Sequence, residues 1–184
     1  MDDGAVQYQR FLDGDEIGLR ALIDLYYDGL ALYLNTYLRN LSAAEELAED
    51  VFVLLATRRP AFGGRSGFKT WLYAIGRHRA VDRLRRSRHA PLPIDACETV
   101  IADDLDVEKH YIQDEEKRAV HGAMSRLKAD YRQALWLVYF EDMSQQEVAQ
   151  VMERSVGSVE HLLRRARAAL RSEMQKEGFT YERS

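Results

Sequence analysis

The sequence has few of the residues that covalent cross-links or membrane insertion require. A single cysteine, Cys97, excludes an internal disulfide and a zinc site built from several thiolates. The chain has no apolar run of membrane-spanning length and no basic-apolar-small signal at its N-terminus. Only three prolines and no strongly alternating segment favour an all-α protein. We therefore expect an intracellular, cytoplasmic protein.

Acidic and basic residues are unevenly distributed along the chain. The net charge of -4 by itself argues mildly against nucleic-acid binding. Residues 1–50 are rich in acids, with Arg10, Arg20 and Arg39 as their cations. Residues 58–88 reverse this pattern, because their many arginines and one lysine are opposed only by Asp82. An asymmetry this sharp indicates two different partner surfaces.

The first half of the chain has helical periodicity throughout. Residues 5–40 predict a helical pair or one bent helix. Ser42 with Glu45 matches a capping box that opens the helix AAEELAEDVFVLLATRR. A second helical stretch resumes at Phe68, and Gly76 within it predicts a bend or a loop between two helices.

A change of composition separates the two halves. Residues 91–113 contain prolines and many acids, which predicts a flexible acidic linker between domains at residues 1–90 and 114–184. One amphipathic helix is predicted to contain Leu127, Tyr131, Ala134, Leu135 and Val138. Ser144 with Glu147 forms another capping box. A tight connection then leads to a helix capped by Ser155. This order is typical of a helix-turn-helix, so we predict two small helical domains.

Three blocks resemble the small extracytoplasmic function (ECF) sigma factors of bacteria, within the sigma-70 family. AAEELAEDVFVLLATRR resembles region 2.2 and FGGRSGFKTWLYAIGRHRAVDRLRR resembles regions 2.3 and 2.4. LKADYRQALWLVYFEDMSQQEVAQVMERSVGSVEHLLRRARAALR resembles region 4. The resemblance implies a factor that binds core RNA polymerase, at its β′ clamp helices and β flap, and directs it to promoter DNA. It also implies an anti-sigma partner, and neither catalysis, cofactor nor metal.

For the first domain, the resemblance implies two surfaces. The acidic face of region 2.2 would dock on polymerase, although a solvated acidic face is the alternative. Regions 2.3 and 2.4 would bind and melt the −10 element, with a base-flipping loop at Gly76–Arg79, while the spacing of Trp71 also fits a core residue. The polymerase-binding candidates are Glu46, Leu47, Glu49 and Asp50. The −10 candidates are Trp71, Tyr73, Arg77, His78, Arg79, Arg83 and Arg86.

For the second domain, the resemblance implies that the helix from Ser155 binds the −35 element. The candidates are Arg154, Ser155, Ser158, Glu160, His161, Arg164, Arg165 and Arg167. Many family members have cations where this chain has Glu160 and Leu162. Leu162 fits the buried stripe. Glu160 either accepts a hydrogen bond from a cytosine amino group or pairs with Arg164 at i,i+4 spacing.

Other functions are compatible with parts of the pattern. The acidic linker is either a solvated tether or a segment that threads the polymerase cleft. A helix-turn-helix regulator would need no docking helix, and a sigma-like adaptor would bind polymerase but recognise promoters poorly. An enzyme is the least expected, because the chain has no nucleophile motif or phosphate loop, and FGGRSG fits a turn.

Overall fold

The computed structural model describes residues 2–89 and 115–176, and every regular element in these ranges is an α-helix. This confirms the all-α prediction. In chain order the described helices are α1 (Asp3–Leu12), α2 (Glu16–Leu38), α3 (Leu41–Arg58), α4 (Phe68–His89), α5 (Glu115–Ser125), α6 (Ala129–Tyr139), α7 (Gln145–Met152) and α8 (Val156–Lys176). No helix within the described ranges is apolar over the length needed to cross a bilayer. The predicted linker, residues 91–113, lies outside the described residues.

The first four helices form one bundle, in which α2 packs against α1, α3 and α4. Of the two alternatives for residues 5–40, the helical pair is the one observed. Asp15 separates the pair, because its carboxylate caps α2 by accepting a hydrogen bond from the Ile17 amide. The Tyr8 hydroxyl donates to the Pro60 carbonyl at 2.7 Å and so ties α1 to the α3–α4 connection. Trp71 packs against Tyr8 and Phe62, which fits its predicted core role.

The start of α3 differs from the prediction that Ser42 and Glu45 form a capping box. The helix begins at Leu41, and the N-cap is Asn40, whose side-chain oxygen accepts from the Ala43 amide at 2.8 Å. Asn40 has extended backbone angles, whereas Ser42 already lies within the helix. Asparagine and serine are comparably good N-caps, so the residue type could not decide between them.

The predicted bend or loop at Gly76–Arg79 is also wrong. Helix α4 runs without a break from Phe68 to His89. Gly76 is buried in the contact with α2, where an added Cβ would lie 2.9 Å from Leu30 Cδ1 and 3.3 Å from Leu34 Cδ2. The glycine therefore allows two helices to approach closely, and it does not interrupt the helix.

The last four helices form the second bundle, whose caps agree with the sequence. Ser144 and Glu147 form the predicted reciprocal capping box. Ser155 Oγ accepts from the Ser158 amide at 3.2 Å at the start of α8, as predicted. Leu127 is an exception, because it lies in the turn before α6, where its amide bonds to the Met124 carbonyl.

The two bundles pack directly against each other through α2 with α6 and through α4 with α7. Arg132 is buried in this interface and donates from Nε and Nη2 to the Thr36 carbonyl at 3.1 and 2.9 Å. Arg39 donates to the Ser125 carbonyl at 2.9 Å. The predicted domain limits, 1–90 and 114–184, stay predictions, since the boundary falls among undescribed residues.

Candidate nucleic-acid and partner interfaces

The acidic face of α3 is accessible only in part. Glu46, Glu49 and Asp50 are exposed, but Leu47 is buried in the core. Glu46 is bound to the neighbouring helix, because Arg83 Nη2 donates to its carboxylate at 3.2 Å. Glu49 and Asp50 have no ion pair with a described residue. A partner that docks on this face would therefore meet two free carboxylates.

A groove of about 570 Å³ separates this acidic face from the basic side of α4. Its lining includes Asp50 from α3 and several basic side chains from α4, namely His78, Arg79, Arg83 and Arg86. Arg83 also donates to the Ala43 carbonyl at 3.2 Å, so it fastens α4 to α3. Arg79 and Arg86 form no ion pair within the described ranges. They are the cations of this groove that can reach a phosphate directly.

Three −10 candidates on α4, namely Tyr73, Arg77 and His78, contact the second bundle. Glu153 accepts from Arg77 Nη1 at 2.8 Å and lies 2.9 Å from His78 Nε2. The hydrogen bond from Arg77 is the main cause that lowers the pKa of Glu153. Tyr73 is fully buried between the bundles, and burial together with the nearby Glu141 carboxylate raises its pKa well above the usual range. Tyr73 cannot stack on a base in this arrangement.

The −35 candidates are exposed at the start and on the outer side of α8. Its buried stripe is Val159, Leu162, Leu163, Ala166, Leu170 and Met174, which confirms the inward position of Leu162. His161 and Arg164 lie opposite the stripe, with Arg164 Nη2 3.0 Å from His161 Nδ1. Ser155, Ser158, Glu160, Arg165 and Arg167 are also exposed. Arg154 differs, because it forms an ion pair with Asp130 at 2.7 Å.

Glu160 does not form the predicted pair with Arg164. Arg164 turns instead toward His161, which is three residues away, and Glu160 has no hydrogen bond or ion pair with any described residue. The pairing alternative is therefore wrong for this structure. The carboxylate at the front of the helix is free to face a ligand.

Sequence reasoning missed Lys69 and Glu141. Lys69 Nζ lies 2.8 Å from the Glu141 carboxylate and also donates to the Glu141 carbonyl at 2.8 Å. The same carboxylate accepts from Trp136 Nε1 at 3.2 Å, and its side chain is only 7% exposed. Seventy-two residues separate the partners, so no local pattern could pair them. No cluster of metal-ligating side chains occurs in the part of the chain that the structure describes.

Family comparisons agree with this division into two bundles. The family model for Sigma-70 region 2 matches residues 22–90, and the model for Sigma-70, region 4 matches residues 117–170. The chain belongs to the sigma-70 family. The predicted resemblance is thereby confirmed, and relatives named as ECF sigma factors place the chain in that branch.

Several relatives of this sigma-70 family member match most of its sequence. It is 34% identical over 149 residues to the probable RNA polymerase sigma factor RfaY of Xanthomonas campestris, covering 79% of this chain but 37% of that protein. It is 29% identical to the RNA polymerase sigma factor YlaC of Bacillus subtilis, covering 82% of this chain and 88% of the relative. The ECF RNA polymerase sigma factor SigW of Bacillus subtilis is 24% identical over 88% of this chain and 91% of its own length.

Solved structures support the fold of this sigma-70 family member. CnrH in complex with the cytosolic domain of CnrY matches with a TM-score of 0.66 at 21% identity, covering 95% of this chain and 99% of that chain. RpoE of Bartonella quintana, in complex with the anti-sigma factor NepR, gives a TM-score of 0.62 at 18% identity over 85% of this chain and 96% of that chain. At these identities the likeness concerns the fold alone.

Proposed function

We propose that this chain is an ECF sigma factor that directs core RNA polymerase to specific promoters and helps to open them in the cytoplasm. The observation that carries the proposal is the coexistence, in one chain, of both sigma-70 regions in family order. A regulator that binds DNA alone would need the second region and would have no use for the first. Catalysis is not part of the proposed role.

Three surfaces account for the three proposed contacts, which are with polymerase, the −10 element and the −35 element. The free carboxylates of α3, Glu49 and Asp50, face polymerase. Arg79 and Arg86 on α4 hold phosphates near the −10 element. Melting of the duplex also requires apolar or aromatic groups that stack on the unpaired bases. The exposed side of α8 enters a major groove at the −35 element, where His161, Arg164 and Arg165 reach base edges and phosphates.

Promoter-dependent transcription by the reconstituted holoenzyme tests the proposal. The purified chain is combined with core polymerase of its own host and with genomic DNA fragments, and the transcript ends are sequenced. We expect discrete start sites that share a −35 and a −10 element, and only weak duplex binding by the chain alone. Tight, specific duplex binding without core polymerase and without initiation would instead support a helix-turn-helix regulator. Binding to core polymerase without initiation would support a sigma-like adaptor.

The docking surface has its own test. We expect Asp50→Lys to weaken binding to core polymerase about tenfold or more. The variant replaces one of the two carboxylates proposed to contact polymerase with a cation, and this cation adds to the positive charge of the adjacent groove. Asp24→Lys on α2 is the matched control, since Asp24 is exposed, has no partner among described residues and lies outside the proposed surfaces. Equal affinity of both variants for core polymerase would refute docking through this face.

An anti-sigma protein is the remaining proposed partner. Two structurally similar chains were solved in complex with another protein, which is the cytosolic domain of CnrY in one case and the anti-sigma factor NepR in the other. We expect copurification of this chain, expressed in its host, to recover such a protein. The recovered protein should prevent the chain from binding core polymerase in a competition assay.

A further inference from the structure

Three carboxylates of the second bundle lie along the basic helix α4 of the first. Glu141 precedes α7, Glu147 lies in its first turn, and Glu153 ends it. Glu141 binds Lys69, and the carboxylate of Glu147 accepts from the Thr70 hydroxyl at 3.4 Å. The segment from Glu141 to Glu153 therefore supplies a row of negative charges to the helix proposed to bind the −10 element.

The last carboxylate of the row contacts two proposed DNA ligands at once. Glu153 has one oxygen 2.8 Å from Arg77 Nη1 and the other 2.9 Å from His78 Nε2. Phosphate oxygens of a bound strand would take the same positions on these donors. Glu153 holds left-handed backbone angles, with φ at 53°, at the turn between α7 and α8. The helix-turn-helix itself thus presents the competing charge.

The closed arrangement is incompatible with simultaneous contacts to both promoter elements. As long as Glu153 occupies Arg77 and His78, these two side chains cannot hold phosphates of a −10 strand while α8 lies on the −35 element. In the closed chain, the helix-turn-helix contacts α4 directly through Glu153. The two bundles must therefore separate before α4 and α8 can each reach its own element.

We propose that the acidic row Glu141, Glu147 and Glu153 mimics the DNA backbone and keeps the free chain closed, with Arg77 and His78 masked. The inference rests on the proposed function, because it takes α4 as the −10 ligand. Polymerase, by binding each bundle at a different place, would supply the free energy that opens the chain. A chain whose binding-competent form is a minor population shows an apparent affinity reduced by that population.

Charge-neutral variants of the full chain test this proposal. The variant Glu141→Gln/Glu153→Gln keeps side-chain size and an oxygen that can accept from Trp136 Nε1. The control Asp24→Asn/Asp142→Asn removes the same net charge from two exposed acids that have no partner among the described residues. Asp142, with φ at 53°, also tolerates asparagine well. The single variant Glu153→Gln, whose side chain is 54% exposed, serves if the double variant does not fold.

Two measurements are made without polymerase. Fluorescence anisotropy gives the affinity for the single strand that carries the −10 element found in the transcription experiment, and small-angle X-ray scattering gives the radius of gyration. We expect the double variant to bind at least fivefold more tightly than the control, Glu153→Gln about two- to threefold more tightly, and the double variant to be the more extended. The half-saturating concentration in transcription should fall as well.

The possible failures are distinguishable. If the wild-type chain does not initiate transcription with core polymerase, the proposed function fails. If it initiates, but the double variant matches the control in affinity, the masking proposal is overturned. It is also overturned if the double variant becomes more extended without binding the strand more tightly, because the carboxylates would then close the chain without masking a DNA ligand.

Discussion

At the residue scale, the close approach of α2 and α4 depends on a position that has no side chain. Gly76 is buried against Leu30 and Leu34, and an added methyl group would force these two side chains to shift. A glycine inside a helix normally weakens it by about 1 kcal/mol relative to alanine. Here the packing requirement outweighs the helix preference, since the glycine lies where α4 crosses α2.

Gly76→Ala is therefore expected to lower the free energy of unfolding, by about 1 kcal/mol net, because overpacking costs typically 1–3 kcal/mol. Gly122→Ala in α5 is the control, since nothing lies within 4 Å of its added Cβ. It should raise the stability by up to about 1 kcal/mol. Urea denaturation followed by circular dichroism measures both, and stabilisation by Gly76→Ala would contradict the packing role.

Glu160 is the other informative residue, because it is exposed and has no partner among the described residues. Glu160→Gln should leave the free energy of unfolding within about 0.5 kcal/mol of wild type. In promoter selection with the holoenzyme, we expect it to lose discrimination at one −35 base pair, since a carboxylate can accept from a cytosine amino group. A uniform gain at every sequence would show that the carboxylate acts only by repelling phosphates.

At the scale of single elements, the caps decide where the helices begin. Asn40 caps α3 with a 2.8 Å hydrogen bond, and Ser144 caps α7 with a reciprocal box. Ser42 and Glu45 repeat the serine and glutamate of that box at the same spacing, but Ser42 lies inside α3 and is not its N-cap. The local sequence therefore contains more than one possible N-cap, and the backbone angles at each position decide which residue caps the helix.

The cap assignment predicts opposite outcomes for neighbouring residues. Asn40→Ala should destabilise the protein by about 1 kcal/mol, because it leaves the Ala43 amide without its acceptor. Ser42→Ala should be neutral or slightly stabilising, since alanine is the better residue inside a helix. Thermal denaturation of the two variants distinguishes the caps, and a reversed order would restore Ser42 as the N-cap.

At the scale of the whole molecule, ion pairs between the bundles couple their packing to pH. Burial acts to raise the pKa of Glu147, but hydrogen bonds from Ser144 and Thr70 and the charge of Lys69 lower it overall. Arg77 and His78 lower the pKa of Glu153. A carboxyl whose folded pKa is lowered contributes stability above its unfolded pKa and loses it as the pH falls through the folded value.

The stability difference between wild type and Glu153→Gln should therefore be largest near neutral pH and shrink as the pH falls below about 4, the usual range of a glutamate. Denaturation midpoints measured between pH 7 and 3 check this. Asp142→Asn, which removes no native contact, should show no such convergence. A difference for Glu153→Gln that stays constant down to pH 3 would rule out a role for the ionised carboxylate.

The sequence by itself determined the all-α class, the family and the outer face of α8. Helical periodicity marks the buried stripe, and Leu162 joins it because of its spacing alone. These features are local, since they depend on residues three or four positions apart. The family could also be recognised from the sequence, because each of its motif blocks is one contiguous stretch of chain.

Only the tertiary structure decided what Gly76, Lys69 and Glu153 do. Gly76 is a packing residue because α2 passes beside it. Lys69 is neutralised by Glu141, which lies seventy-two positions further along the chain. Glu153 resembles an ordinary turn residue until the second bundle brings it against Arg77. Contacts between distant residues depend on how the helices pack, and helical spacing carries no information about which bundle faces will meet.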